Sequence, residues 1–128
     1  MGNRKLSLSH LAVTQFLEGK ISERELLARV MDGFILVPLA EEPVIERDII
    51  KVWTPAILEK VDGSQWQLVF TSSEAHSEFA TKSNYPFGLQ TSTESIISKL
   101  PPERGLMFNI GPGHYLEWSA EVIRRVRS

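Results

Sequence analysis

A chain of 128 residues with 42% hydrophobic and 23% charged side chains has the size and composition of one ordinary globular domain, long enough to bury a single core. Its formal net charge of −2 supplies no basic surface of the kind nucleic acid attracts, and the lack of cysteine excludes disulfides, thiolate catalysis and cysteine-ligated metals. No apolar run approaches the roughly 18 residues of a bilayer span, and "MGNRKLSLSHLAV" alternates serine with leucine where a secretion signal needs an unbroken apolar core, so the expected location is cytoplasmic, with no membrane partner.

The first third predicts two helices. Leu8, Leu11, Ala12 and Phe16 recur at helical spacing behind Ser7, a suitable N-cap, and Gly19-Lys20 ends the segment. Ser22-Glu23-Arg24-Glu25 has the form of a capping box, because the serine oxygen can accept the third helical N–H while Glu25 reaches back. Leu26, Leu27, Val30 and Met31 make the apolar stripe that follows, and Gly33 stops it.

At Phe34 the period changes. "FILVPL" predicts a strand buried on both faces, its length limited by Pro38. "AEEPVIERD" predicts a polar connection, and Ile49–Trp53 fits a strand or a helical turn equally. "AILEKV" and "QWQLVF" flank Asp62-Gly63-Ser64, hairpin chemistry in which Asp-Gly takes positive φ, with Trp66, Leu68 and Phe70 facing the core. Ser72 or Ser73 caps a short helix through Glu78-Phe79, and "PFGLQ" is a brief strand. Ser92 caps a helix carrying Ile96, Ile97 and Leu100, which Pro101-Pro102 ends. "GLMFNI" and "YLEW" are strands, and Ser119 opens a last helix with Val122, Ile123 and Val126 inward. The whole is a single α+β domain over residues 1–128: a helical lead-in over 1–33, then an α+β core over 34–128 with a mixed β-sheet and short flanking helices.

Chemistry-bearing motifs are few. His10, His76 and His114 share no metal-ligand spacing, so no metal is expected. No G-x-S-x-G elbow is present, and capping accounts for Ser72-Ser73. "NIGPGH" matches neither dinucleotide nor P-loop spacing; Pro112 lacks the N–H a phosphate cradle needs, and the glycines serve a reversal between strands that Asn109 can hold. Arg124, Arg125 and Arg127 sit at a helix end, where cations oppose the dipole, and do not form a nucleic-acid surface. "KSNYPFG" gathers Tyr85 and Phe87 in a polar loop, as an interaction surface or as a plug beneath the loop.

Taken in order, "QFLEGKISERELLARVMDGFILVPL", "VDGSQWQLVFTSSEAHSEFA" and "GLMFNIGPGHYLEWSAEVIRRV" resemble the N-terminal domain of the SseB family, named for enhanced serine sensitivity. Val37-Pro38, Phe70-Thr71-Ser72 with Glu74, and Gly105-Leu106 with Asn109 carry the resemblance, which runs from about Phe16 onward; Ile110-Gly111 depart from it by separating Asn109 from Pro112-Gly113. The resemblance implies a compact α+β domain that acts by binding, with no established catalytic residue or cofactor. The expected function is therefore a non-catalytic bacterial protein-binding or regulatory module, its partner another protein or a second copy. An immunity protein neutralising a toxin is one alternative. A small-molecule sensor or cryptic enzyme is another, and it requires Thr71, Ser72, Glu74 and Asn109 to converge on a cleft with open hydrogen-bonding groups. A binding module should instead expose an apolar patch, on the N-terminal helix pair or at Tyr85 and Phe87.

Overall fold

Local signals account for most element starts. In the computed structural model, which describes residues 2–111 and 114–127, α1 (Gly2–Leu17) gives way to a turn at Gly19, whose φ of 76° suits glycine. α2 (Glu23–Met31) opens on the full capping box: Ser22 Oγ accepts the Glu25 N–H at 3.1 Å, and the Ser22 N–H donates to Glu25 Oε1 at 3.4 Å. There follow β1 (Phe34–Leu39), β2 (Ile45–Glu46), β3 (Ile49–Ile50), β4 (Ile57–Glu59) and β5 (Gln65–Phe70). The remainder is α3 (Ser73–Lys82), β6 (Phe87–Ser92), α4 (Thr93–Lys99), β7 (Gly105–Gly111), β8 (His114–Trp118) and α5 (Ala120–Arg127). Ser72, Ser92 and Ser119 each accept a first-turn N–H of the helix they precede.

Six strands make the main mixed sheet, in the order β6-β1-β5-β7-β8 with β4 paired to β5, and β2 and β3 form a separate two-stranded sheet; in the main sheet β5 and β7 run parallel and the other pairs antiparallel. β1 meets β5 at Leu36 and Phe70, then the two diverge and the entry to β4 fills the gap. There Ala56 donates to the Pro38 carbonyl at 3.1 Å and accepts the Leu68 N–H at 3.0 Å. The chain is thus a single α+β unit on a mixed sheet, as expected.

The two sheet faces make two cores. Ile35, Val37, Leu39, Val69, Leu106 and Phe108 face α1, α2, α4 and α5, meeting Val13, Leu26, Val30, Ile96 and Ile123. Trp118 belongs here, 3% exposed with its ring 4.3 Å from that of Phe108, and Trp53 packs half-buried against the same cluster. On the other face Leu68, Phe70 and Met107 meet Ala75 and Phe79 of α3 and Tyr85 beyond it.

Several expectations change. α1 begins well before Ser7, which lies inside the helix and is not its cap; Arg4, Lys5 and Leu6 are good helix formers and extend it backward. Within that helix Ala12 and Val13 are buried, whereas Leu8 and Leu11 are 55% and 51% exposed. β1 covers the whole of "FILVPL", as expected: Pro38 faces Gly88 without needing an N–H, and the strand ends one residue later at Leu39. The polar connection carries β2 and a turn at Arg47 and Asp48, φ of 51° and 66°, and the open stretch Ile49–Trp53 begins as the second strand of that hairpin, β3. In the Asp62-Gly63 loop glycine alone takes positive φ; Asp62 Oδ1 instead accepts the Ser64 N–H and hydroxyl, which, the hydroxyl first, hold its pKa below the ordinary carboxylate value. α3 runs on past Phe79 to Lys82. Trp66, Leu68 and Phe70 face the smaller core, and Gln67 is 2% exposed on the side of the larger one. The corner residues Pro112 and Gly113 lie outside the described residues, as do the side chains of His114 and Val126.

Candidate functional site

Because β5 and β7 are parallel and in register at Phe70 and Asn109, the chain leaving β5 passes beside Asn109: the Thr71 N–H donates to the Asn109 carbonyl at 3.4 Å. Thr71, Ser72 and Asn109 therefore come together at the carboxyl ends of parallel strands, before α3, where open α/β sheets hold ligands. The local chemistry differs from that of a ligand cleft. Thr71 is 1% exposed and its Oγ1 is buried without a hydrogen-bond partner. The Ser72 hydroxyl is engaged by the Ala75 N–H at 3.4 Å, closing the end of α3. Glu74 is exposed in the first turn, where its charge suits the helix dipole and repels an anion. Asn109 is half-buried between Phe70 and Tyr115 in the ladder.

Tyr85 and Phe87 do not join that group. Tyr85 is half-buried with its ring stacked on Phe79 at 6.2 Å and 18°, and Phe79 lies 5.3 Å from Phe70. It plugs the smaller core. Phe87 is 39% exposed at the start of β6. His76, edge-on to Phe70 at 5.6 Å, sits so close to Gly88 that any added Cβ would overlap its ring. Burial there pushes the imidazole pKa below its ordinary value, and a hydrogen bond with the Phe87 backbone acts the other way.

The helical layer presents open apolar surface. A hollow of about 500 Å³ between α2 and α5 has Leu27, Met31 and Val122 as apolar lining and Glu23, Arg24 and Arg125 as charged lining. A second, of about 300 Å³ between α1 and α2, is lined by Leu8, Leu11 and Ala12 beside Gln15 and Arg29. The rims are tied in place: Arg29 donates to Gln15 Oε1 at 2.6 Å, and Arg125 to Glu121 Oε1 at 2.9 Å. Sequence spacing pointed to the helix pair but not to which residues stay outside. The available signal is the width of the apolar stripe, which spans more of α1 than one packing face can cover. The β2–β3 hairpin also exposes Val44, Ile45 and Ile49.

His10 lies on α1 and His76 on α3, on opposite faces of the sheet, and among the described residues no three His, Asp or Glu side chains converge as a metal set would. Among the described residues, no helix is long and apolar enough to cross a membrane. Compared with family models, curated proteins and solved structures, the chain matches no family model, no curated protein and no solved structure.

Proposed function

We propose that this chain is a non-catalytic protein-binding module of the SseB-like type its landmark order resembles, and that the helical layer around α2 is its docking face. One observation carries the reading: Leu8 and Leu11, each more than half exposed, stand beside one of two hollows that flank α2. Covering such leucines contributes about 1 kcal/mol each, and the arginines around the hollows give a partner's polar groups fixed hydrogen-bonding positions. The occupant is an apolar segment of another protein; a toxin neutralised by an immunity-type contact is the narrower form of the same idea. The small-molecule alternative is weaker, because the Thr71 hydroxyl is buried and that of Ser72 caps α3.

The test is capture from native lysate with mass spectrometry, followed by titration of the purified partner against wild type and Leu11→Glu. The expected result is one stoichiometric protein whose affinity falls by about tenfold or more in the variant, a loss of about 1.4 kcal/mol, with an unchanged circular dichroism spectrum. Equal affinity for Leu11→Glu, or no partner at all, would sink this reading and turn attention to metabolites at Thr71 and Asn109.

A further inference from the structure

The edges of the main sheet differ in a way that the docking face does not explain. A free strand edge is a row of unpaired N–H and C=O groups, usually blunted by charge, proline or a bulge. β8, at one edge, carries Glu117, which pairs with Lys60 at 2.7 Å, and its ladder with β7 shifts register between Asn109 and Gly111. β6, at the other, reads Phe-Gly-Leu-Gln-Thr-Ser, without charge or proline. Its ladder with β1 is unbroken from Phe34 opposite Ser92 to Leu39 opposite Phe87, and among the described residues no other strand pairs with it.

The groups that face outward follow from β1. The Pro38 carbonyl accepts from Ala56, on the side of β1 away from β6. Ladder bonds alternate, so Val37 and Leu39 bond toward β6 and engage Leu89 and Phe87. Gly88 and Gln90 then turn both of their main-chain groups to the open side.

We propose that β6 pairs antiparallel with β6 of a second copy of this chain, about a two-fold axis at Leu89. Gly88 then lies opposite Gln90 of the second copy, and the converse holds across the axis, each pair exchanging both main-chain hydrogen bonds. Leu89 meets its own copy in the intervening non-hydrogen-bonded position, where Cα atoms come about 4.5 Å apart. Phe87, 39% exposed in one chain, comes opposite Thr91 of the second and gains cover. The strand carries no charge, so self-pairing places no like charges across from each other. The contact is isologous and uses up both bare edges, so association stops at two. This edge is separate from the helical face around α2, and either surface can fail alone.

Sedimentation equilibrium from micromolar to millimolar concentration is the first test. The wild type should double the 14.5 kDa of one chain, while Gln90→Pro, which removes an outward N–H that β1 does not use, should stay monomeric with an unchanged circular dichroism spectrum. Cysteine substitutions report register in a chain that has no cysteine of its own. Leu89→Cys should cross-link to itself under mild oxidation, since the expected Cα separation suits a disulfide. Thr91→Cys alone should not, yet should cross-link when mixed with Phe87→Cys. A monomer at every concentration overturns the proposal. So does a dimer dissociated by Leu11→Glu but not by Gln90→Pro, or one in which Thr91→Cys self-links as readily as Leu89→Cys. If Gln90→Pro fails to fold, the cysteine pattern decides.

Discussion

One face of the sheet is roofed by four helices, and the other by α3 and the segment that brings in Tyr85. Under the four helices the core is tightly covered, with Val13, Leu26, Val30, Ile35 and Val69 at 1% exposure or less around the Phe108–Trp118 pair. On the other face Leu68, Phe70 and Met107 meet α3 through Ala75 and Phe79, and Trp66, at the start of β5 opposite Gly105, packs half-buried against the same cluster. There Lys60 does the covering: its Nζ lies 4.2 Å over the Trp66 ring while paired with Glu117 at 2.7 Å. A long charged side chain can shield apolar surface with its stem and keep its head wet. The comparison teaches that stability is concentrated on the helical side, while the thinner side depends on close fits between few groups.

The largest expected effect breaks the thick face. Phe108→Ala, at 1% exposure and against Trp118, should cost about 3–5 kcal/mol in urea denaturation, whereas Phe79→Ala, half-buried on the thin face, should cost about 1–2. Equal losses would show that the faces are equally dense. Next comes a close fit on the thin face. A Cβ at Gly105 would stand 2.7 Å from the Trp66 ring and 2.8 Å from the Trp118 carbonyl, and the carbonyl cannot move aside. Gly105→Ala should therefore destabilise by about 1–3 kcal/mol, and removing the ring in a Gly105→Ala, Trp66→Leu double variant should recover part of that loss at most. The smallest effect is the pH dependence of His76. Its pKa in the fold is depressed by burial, so the unfolded chain binds the proton more readily. The stability gained from keeping the imidazole neutral is full above about pH 6.5 and is lost as pH falls below it. Melting temperatures of wild type and His76→Phe should diverge on acidification between pH 7 and pH 5, roughly the window of the unfolded histidine; parallel curves would remove His76 from the account.

The legible parts of the fold were those decided within a few residues. Ser22, Ser72 and Ser92 announce helix starts because capping is local, and Asp62-Gly63 announces a reversal because glycine tolerates its φ. The β2–β3 hairpin escaped notice because Arg47 and Asp48 take positive φ without glycine, which local chemistry does not advertise. Strand order was illegible for a different reason: β6 travels to the far side of β1, and β7 returns beside β5, through pairings that no local pattern encodes. The site followed the same rule. The helix pair was readable as a candidate surface, but Leu8 and Leu11 could be separated from Ala12 and Val13 only once the packed side of α1 was known. Thr71, Ser72 and Asn109 could be named only as residues that a cleft would have to gather; their meeting, and the burial of Thr71, depend on the parallel pairing of β5 with β7.

That strand order also sets a timetable for folding. β1 and β5 sit at the middle of the sheet, but the neighbours that complete them, β6 and β7, emerge later in synthesis. Until then β1 and β5 each have one flank unpaired, and the β5–β7 contact must wait for α3, β6 and α4 to be threaded across. Closing such distant contacts is slow compared with closing a hairpin, and unpaired flanks invite wrong partners in the interval. The nascent chain is therefore most vulnerable in the period between the completion of β5 and the arrival of β7, a window governed by translation speed and chaperone access more than by the stability of the finished domain.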